Sequence, residues 1–145
     1  MPTSAISAMD ISASALTAQR RKMNIIAGNI ANAGSMVTPE GGPYRRRDIT
    51  FATAMKSASD EAPSLAERVA GVKVAAVTVS DKPAKTVYDP QHPLADKQGF
   101  VRVPDINVTQ EMVDMVSAQR EYEANLAAMR AARDITRNSL SILRP

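Results

Sequence analysis

His92, Asp89 and Asp96 are the residues of this chain best placed to move protons. General acid–base chemistry needs such groups within hydrogen-bond reach of a substrate. His92 is the only histidine, and it lies between Pro90 and Pro93. A metal site or a nucleophile–histidine pair would need further ligands or an activated Ser nearby, and none is spaced for it. His92 is therefore expected to be a loop residue with a backbone partner. Asp89 and Asp96 flank that loop without any sign of a substrate cleft. Gly41 and Gly42 are followed by Pro43, not by the Lys and helix of a phosphate loop. The chain has no cysteine, which excludes disulfides, thiol catalysis and thiolate metal sites. No catalytic, cofactor-binding or metal-binding residue is expected, and the chain does not read as an enzyme.

Basic residues cluster in two places, Arg20-Arg21-Lys22 and Arg45-Arg46-Arg47. The second triplet reads as a solvated strand edge, which would also discourage edge-to-edge aggregation; an anionic contact is the alternative. Arg20 falls among apolar residues and could pair with an acid on a neighbouring helix, such as Glu123 or Asp114. The net charge is only +3, and no basic stripe alternates with aromatic residues. Nucleic acid is therefore not an expected partner. No apolar run is long enough to insert in a membrane. The N-terminus lacks the basic and continuous apolar regions of a cleavable secretory signal.

The elements that carry these residues are marked by proline. Residues 3–38 and 105–144 contain none, and the interior prolines fall between them. Both proline-free ends have heptad apolar spacing. The first seam is Ile6, Met9, Ala13, Leu16, Met23, Ala27 and Ile30, with Arg20 interrupting it. The second is Met112, Met115, Tyr122, Leu126, Met129, Thr136, Leu140 and Leu143, interrupted by Gln119 and Arg133. These predict helices over about residues 4–32 and 107–143, the latter roughly 50 Å long. Thr3 or Ser4 can cap the first and Gly34 can end it. Asn107 with Gln110 resembles a capping box, and Glu111 suits the positive end of the helix dipole.

The first helix is rich in Ala, Ser, Asn and Thr and contains Gly28, so alone it should be marginal in water. Aromatics make up only 3% of the chain, which argues for thin helix–helix burial rather than one compact core. Between the helices, strands are expected from Tyr44 to Phe51, from Val69 to Val79, at Tyr88 and from Phe100 to Val103. A polar connector over 52–68 contains Pro63. The middle would be a small antiparallel β unit of three or four strands. The fold class is thus α+β, mainly α, with a coiled-coil-like pair of terminal helices and a β unit inserted between them. Its expected parts are residues 1–33, 34–106 and 107–145.

Certain stretches resemble known proteins. Ile11 to Arg20, then Met23 to Asn32, resemble the N-terminal signature of bacterial flagellar rod and hook proteins. Glu111 to Asn125 is similar to their C-terminal signature. Gly42 to Arg45, Gly71 to Val74, His92 to Asp96, Gly99 to Val101 and Pro104 to Asn107, with the short length, resemble the proximal rod members. The stretch from Asn32 to Ser35 lacks the Thr that often follows the Asn in relatives.

The resemblance implies a structural, motility-related subunit of the flagellar basal body, polymerising through its terminal helices into a torque-transmitting axle around an export channel. It implies a periplasmic site reached by flagellar type III export without a cleaved signal. The implied partners are other copies of the chain, other proximal rod proteins, a FliE-type adaptor, distal rod proteins and the export apparatus. The assembly interface is expected at Met9, Leu16, Arg20, Met23, Asn29, Ile30, Asn32, Met112, Met115, Gln119, Tyr122, Asn125, Leu126, Met129, Arg133 and Leu140. The competing class is a coiled-coil adaptor that uses its Met-rich helices on a partner helix.

Overall fold

The structure, a computed structural model, describes residues 3–55 and 69–142. Helix α1 spans Thr3–Ala31 and α2 spans Val108–Ile142. Strands β1 (Arg47–Met55), β2 (Val69–Val79), β3 (Lys85–Tyr88) and β4 (Phe100–Val103) lie between them. This is the expected α+β arrangement, with two long helices bracketing short antiparallel strands.

The helices run antiparallel against each other. Asn29 bonds Glu111, whereas Gln19 bonds Glu121, so moving ten residues back along α1 moves ten residues forward along α2. Asn107 caps α2 by accepting the Gln110 backbone N–H at 3.2 Å. The expected box is only half made, because the Gln110 side chain donates forward to Asp114 instead, at 3.0 Å. α1 ends through Asn32, not Gly34. The Asn32 backbone and side-chain amides both donate to the Gly28 carbonyl, at 3.1 and 2.9 Å. Ser35 Oγ holds the Asn32 side chain from the other side. This satisfies a carbonyl that the helix end would otherwise leave bare. The expected cap at Thr3 or Ser4 lies outside the residues whose side chains are described.

The strands form two separate two-stranded sheets, β1–β2 and β3–β4, rather than one unit. Between them the Ser80 backbone N–H is already taken by the Arg46 carbonyl, and Pro83 has no N–H to give. β1 begins later and ends later than expected. Tyr44 donates its N–H to the loop residue Ser35, so the strand starts beyond it. Ala52 to Met55, expected in the connector, pair with Val69 to Lys73. The remainder of the connector, 56–68 with Pro63, lies outside the described residues.

α1 packs on the β1–β2 ribbon through Ser14, whose hydroxyl accepts the Val72 N–H at 3.0 Å and donates to the Ile11 carbonyl at 2.7 Å. Gly71 makes that approach possible. Its φ is +137°, and an added Cβ would collide with Ser14 Oγ and lie 3.6 Å from the Ile11 backbone. At the far hairpin, Asp96 accepts the N–H groups of Gln98 and Phe100 at 2.8 and 2.9 Å. These bonds hold its carboxyl below the usual carboxylate range. His92 Nδ1 accepts the Leu94 N–H, so it fills the expected backbone role.

Gly71→Ala is predicted to destabilise the fold by about 1–3 kcal/mol, through both the positive φ and the collision. Urea unfolding of the purified subunit measures this. Ser14→Gly in the same background relieves the collision but removes the acceptor of the Val72 N–H and adds a helix glycine, so it should not restore parent stability.

Candidate assembly site

The two helices meet at a small polar centre. Asn29 is 0% exposed, yet its amide makes four hydrogen bonds. Its Oδ1 accepts the Arg47 N–H at 3.0 Å and the Tyr44 hydroxyl at 3.3 Å. Its Nδ2 donates to the Arg47 carbonyl at 2.8 Å and to Glu111 Oε2 at 3.0 Å. Both donors and both lone pairs are thereby used. The side chain pairs with Arg47 as a neighbouring strand would, and so closes the free side of β1 at its first residue.

Glu111 is 1% exposed. Its other oxygen, Oε1, accepts Arg46 Nε at 2.6 Å. Arg46 also reaches Asp48 at 3.1 Å and Asp114 at 3.9 Å. The hydrogen bond to Glu111 raises the Arg46 guanidinium above its ordinary value, against partial burial that lowers it. Arg46 is therefore no solvated edge residue: it reaches in from the loop before β1 to neutralise a carboxylate on α2. Arg45 pairs outward with Asp81 at 3.1 Å, and Arg47 stacks over the Tyr44 ring at 5.8 Å. A buried ion pair adds little net stability once desolvation is counted, but removing one partner is costly. The centre therefore fixes register more than it adds stability.

That register decides which faces remain open. The side of α1 turned inward carries Ile11, Ala15, Ala18, Lys22, Ile25, Ile26 and Asn29, all buried or half-buried. Of the heptad series Met9, Ala13, Leu16, Arg20, Met23, Ala27 and Ile30, the residues Ala13, Arg20 and Ala27 lie on the opposite side of the helix. Leu16, Met23 and Ile30 follow Ala15, Lys22 and Asn29 by one residue, about 100°, and so lie at the flank of the inner side. Ala13, Arg20 and Ala27 are exposed, while Met9, Leu16, Met23 and Ile30 are half-buried. The larger members of the α1 seam are therefore partly covered within the subunit, and its small and charged members are not. On α2 the inward series is Glu111, Met115, Ala118, Tyr122, Asn125, Met129, Ala132 and Thr136. It shares Met115, Tyr122, Met129 and Thr136 with the expected seam and departs by one residue elsewhere.

Met112, Gln119 and Arg133 are consequently exposed rather than set in the seam, and Leu126 is half-buried. Gln119 donates along its own helix to Glu123 at 3.1 Å. Asp114, suggested for Arg20, faces Arg46 instead. Asn29, expected at an interface between subunits, is enclosed within this one. Asn32 is half-buried by its helix-end role. Ile6, Leu140 and Leu143 lie outside the residues whose side chains are described. Sequence reasoning missed Glu111 and Arg46 as a buried pair, and Val113 and Val116 as surface. Met112, Val113 and Val116 are 54, 55 and 52% exposed on adjacent positions of α2.

Both terminal segments match family models of flagellar axial components. Residues 9–34 match the flagella basal body rod protein model. Residues 97–142 match the C-terminal model of flagellar basal body rod FlgEFG proteins. The Asn29–Glu111 bond thus joins one matched segment to the other. Among whole-length relatives, the flagellar basal-body rod protein FlgC of Borreliella burgdorferi is 38% identical, over 94% of this chain and 96% of its own. FlgC of Salmonella typhimurium is 41% identical over 92% and 93%. FlgC of Bacillus subtilis is 36% identical over 95% and 97%.

The chain belongs to the flagellar basal-body rod protein family, within its FlgC group. It is a structural subunit of the flagellar basal-body rod, not an enzyme, and assembles there with other rod components. Among the described residues, no helix is long and apolar enough to cross a membrane.

Arg46→Leu strands a buried carboxylate and is predicted to cost about 3 kcal/mol or more, read by chemical denaturation. Adding Glu111→Leu should recover part of that loss, since the buried carboxylate is then gone. A double variant less stable than the single one would contradict the pairing.

Proposed function

We propose that this subunit polymerises through the outward faces of its terminal helices into the axle that transmits torque through the basal body. A central channel would carry exported proteins past it. The observation that supports this is the apolar surface left incompletely covered on α1, where Leu16, Met23 and Ile30 are half-buried and Ala13 and Ala27 are exposed. A helix apolar on two sides is one designed to be covered on both. Met112, Val113 and Val116 give α2 a corresponding surface. In this reading residues 1–33 and 107–145 build the shaft, and residues 34–106 face outward from it. Stiffness arises from many small packing contacts along stacked helices.

The same reading places the protein in the periplasm, delivered by the flagellar export apparatus without signal cleavage. Its neighbours are copies of itself, other proximal rod proteins, a FliE-type adaptor and distal rod proteins. The Ala-, Ser- and Asn-rich α1 suits passage in an unfolded state, because its folding can wait for partners that cover both faces.

Ala27→Asp puts a charge on the exposed outward face without touching the Asn29 centre. The purified variant should unfold within about 1 kcal/mol of the parent, while the strain carrying it loses basal-body rods in electron micrographs and stops swimming. Normal rods and swimming would remove this face from the assembly.

A further inference from the structure

We propose that the outward face of α1 is covered by the outward face of α2 from the next copy of this chain, antiparallel, with Arg20 set against Glu123. This rests on the assembly reading above and names the occupant of that face.

Charge and spacing carry the assignment. Arg20 is the one charged residue in the outward series of α1, and it has no ion-pair partner among the described residues. The outward side of α2 holds the charges Arg120, Glu123, Arg130 and Asp134, all exposed. Antiparallel alignment of Arg20 with Glu123 brings Ala27 to Val116 and Ile30 to Met112 and Val113. It also brings Leu16 to Ala127. One register thus pairs the charge and covers the exposed apolar cluster of α2. Aligning Arg20 with Asp134 instead would bring Ile30 only as far as Ala124. Met112, Val113 and Val116 would then lie beyond the end of α1. Among the described residues Glu123 is held by Gln119 on its own helix and is exposed, so a partner can reach it.

Symmetry favours the same occupant. In a shaft whose copies are related by rotation about, and translation along, one axis, every α1 points the same way and every α2 the opposite way. Contact between α1 and a neighbouring α2 is then antiparallel, as the register requires. A two-fold contact of α1 with α1 would face Arg20 toward its own copy and would close on itself. Head-to-tail contacts, by contrast, continue a filament.

The chain has no cysteine, so an introduced pair is unambiguous. Ala27→Cys and Val116→Cys would sit on opposite outer sides of one subunit, and a disulfide between them has to join two copies. Oxidising cells that carry the double variant should yield a ladder of dimers, trimers and longer species in basal-body fractions. Neither single variant should. Dimers from Ala27→Cys alone would overturn the proposal in favour of a two-fold contact. Intact rods without a ladder would overturn it in favour of another protein on this face, with the assembly reading untouched. Independently, Arg20→Glu should shrink swarm diameter several-fold, and adding Glu123→Arg should restore it. Failure of that restoration would refute the register.

Discussion

The arrangement of this subunit depends on one enclosed set of hydrogen bonds. Asn29 uses every donor and acceptor of its amide on the Arg47 backbone, the Tyr44 hydroxyl and the Glu111 carboxylate. Glu111 in turn takes the charge of Arg46. Three separate pieces of chain meet there: the last turn of α1, the entry to β1 and the first turn of α2. A polar group buried at a helix interface is costly unless every bond is made. A shift of either helix by one residue would break several of them at once. The centre therefore specifies a single axial register and rotation, in the way a buried Asn does in a coiled coil.

Fixing rotation has a consequence for the outside. With Asn29 turned inward, Ile26, Ile25, Lys22, Ala18, Ala15 and Ile11 follow it, and Ala13, Arg20 and Ala27 are left on the far side. The inner face of α1 sets small groups, Ser14, Ala15 and Ala18, beside its isoleucines, which allows close approach to the ribbon at Gly71. Leu16, Met23 and Ile30, at the edge of that face, are only half-covered. An isolated amphipathic helix would cover its whole apolar side with its own core. Such partial cover fits a part whose core is completed by neighbours, and it explains why the chain needs so few aromatics.

Much of the fold was legible in the sequence because its signals are local. Proline exclusion and heptad spacing placed both helices within a residue or two. Runs of Val and Thr marked β2, and Phe100 to Val103 marked β4. The errors came where partners from elsewhere in the chain decide the outcome. Ala52 to Met55 have little strand character alone and gain it from β2. Apolar periodicity selected a series centred away from the buried side of α1, since Asn29 and Lys22 interrupt Ile11, Ile25 and Ile26 there. Glu111 looked like a residue placed for the helix dipole, and Arg46 like one of three equivalent surface cations. Only the close approach of 29, 46 and 111 separates Arg46 from Arg45 and Arg47. No spacing in the sequence reports that approach.

The most direct test of this arrangement is side-chain accessibility at single cysteines on either side of α1, read in the free subunit and in isolated basal bodies. Cysteine at Ala13 or Ala27 should react quickly with a water-soluble maleimide in the free subunit and become protected in the rod. Cysteine at Ala18 should be protected in both. Protection of Ala13 and Ala27 in the free subunit, or their continued reaction in assembled rods, would contradict the division of α1 into an inner face locked by Asn29 and an outer face reserved for assembly.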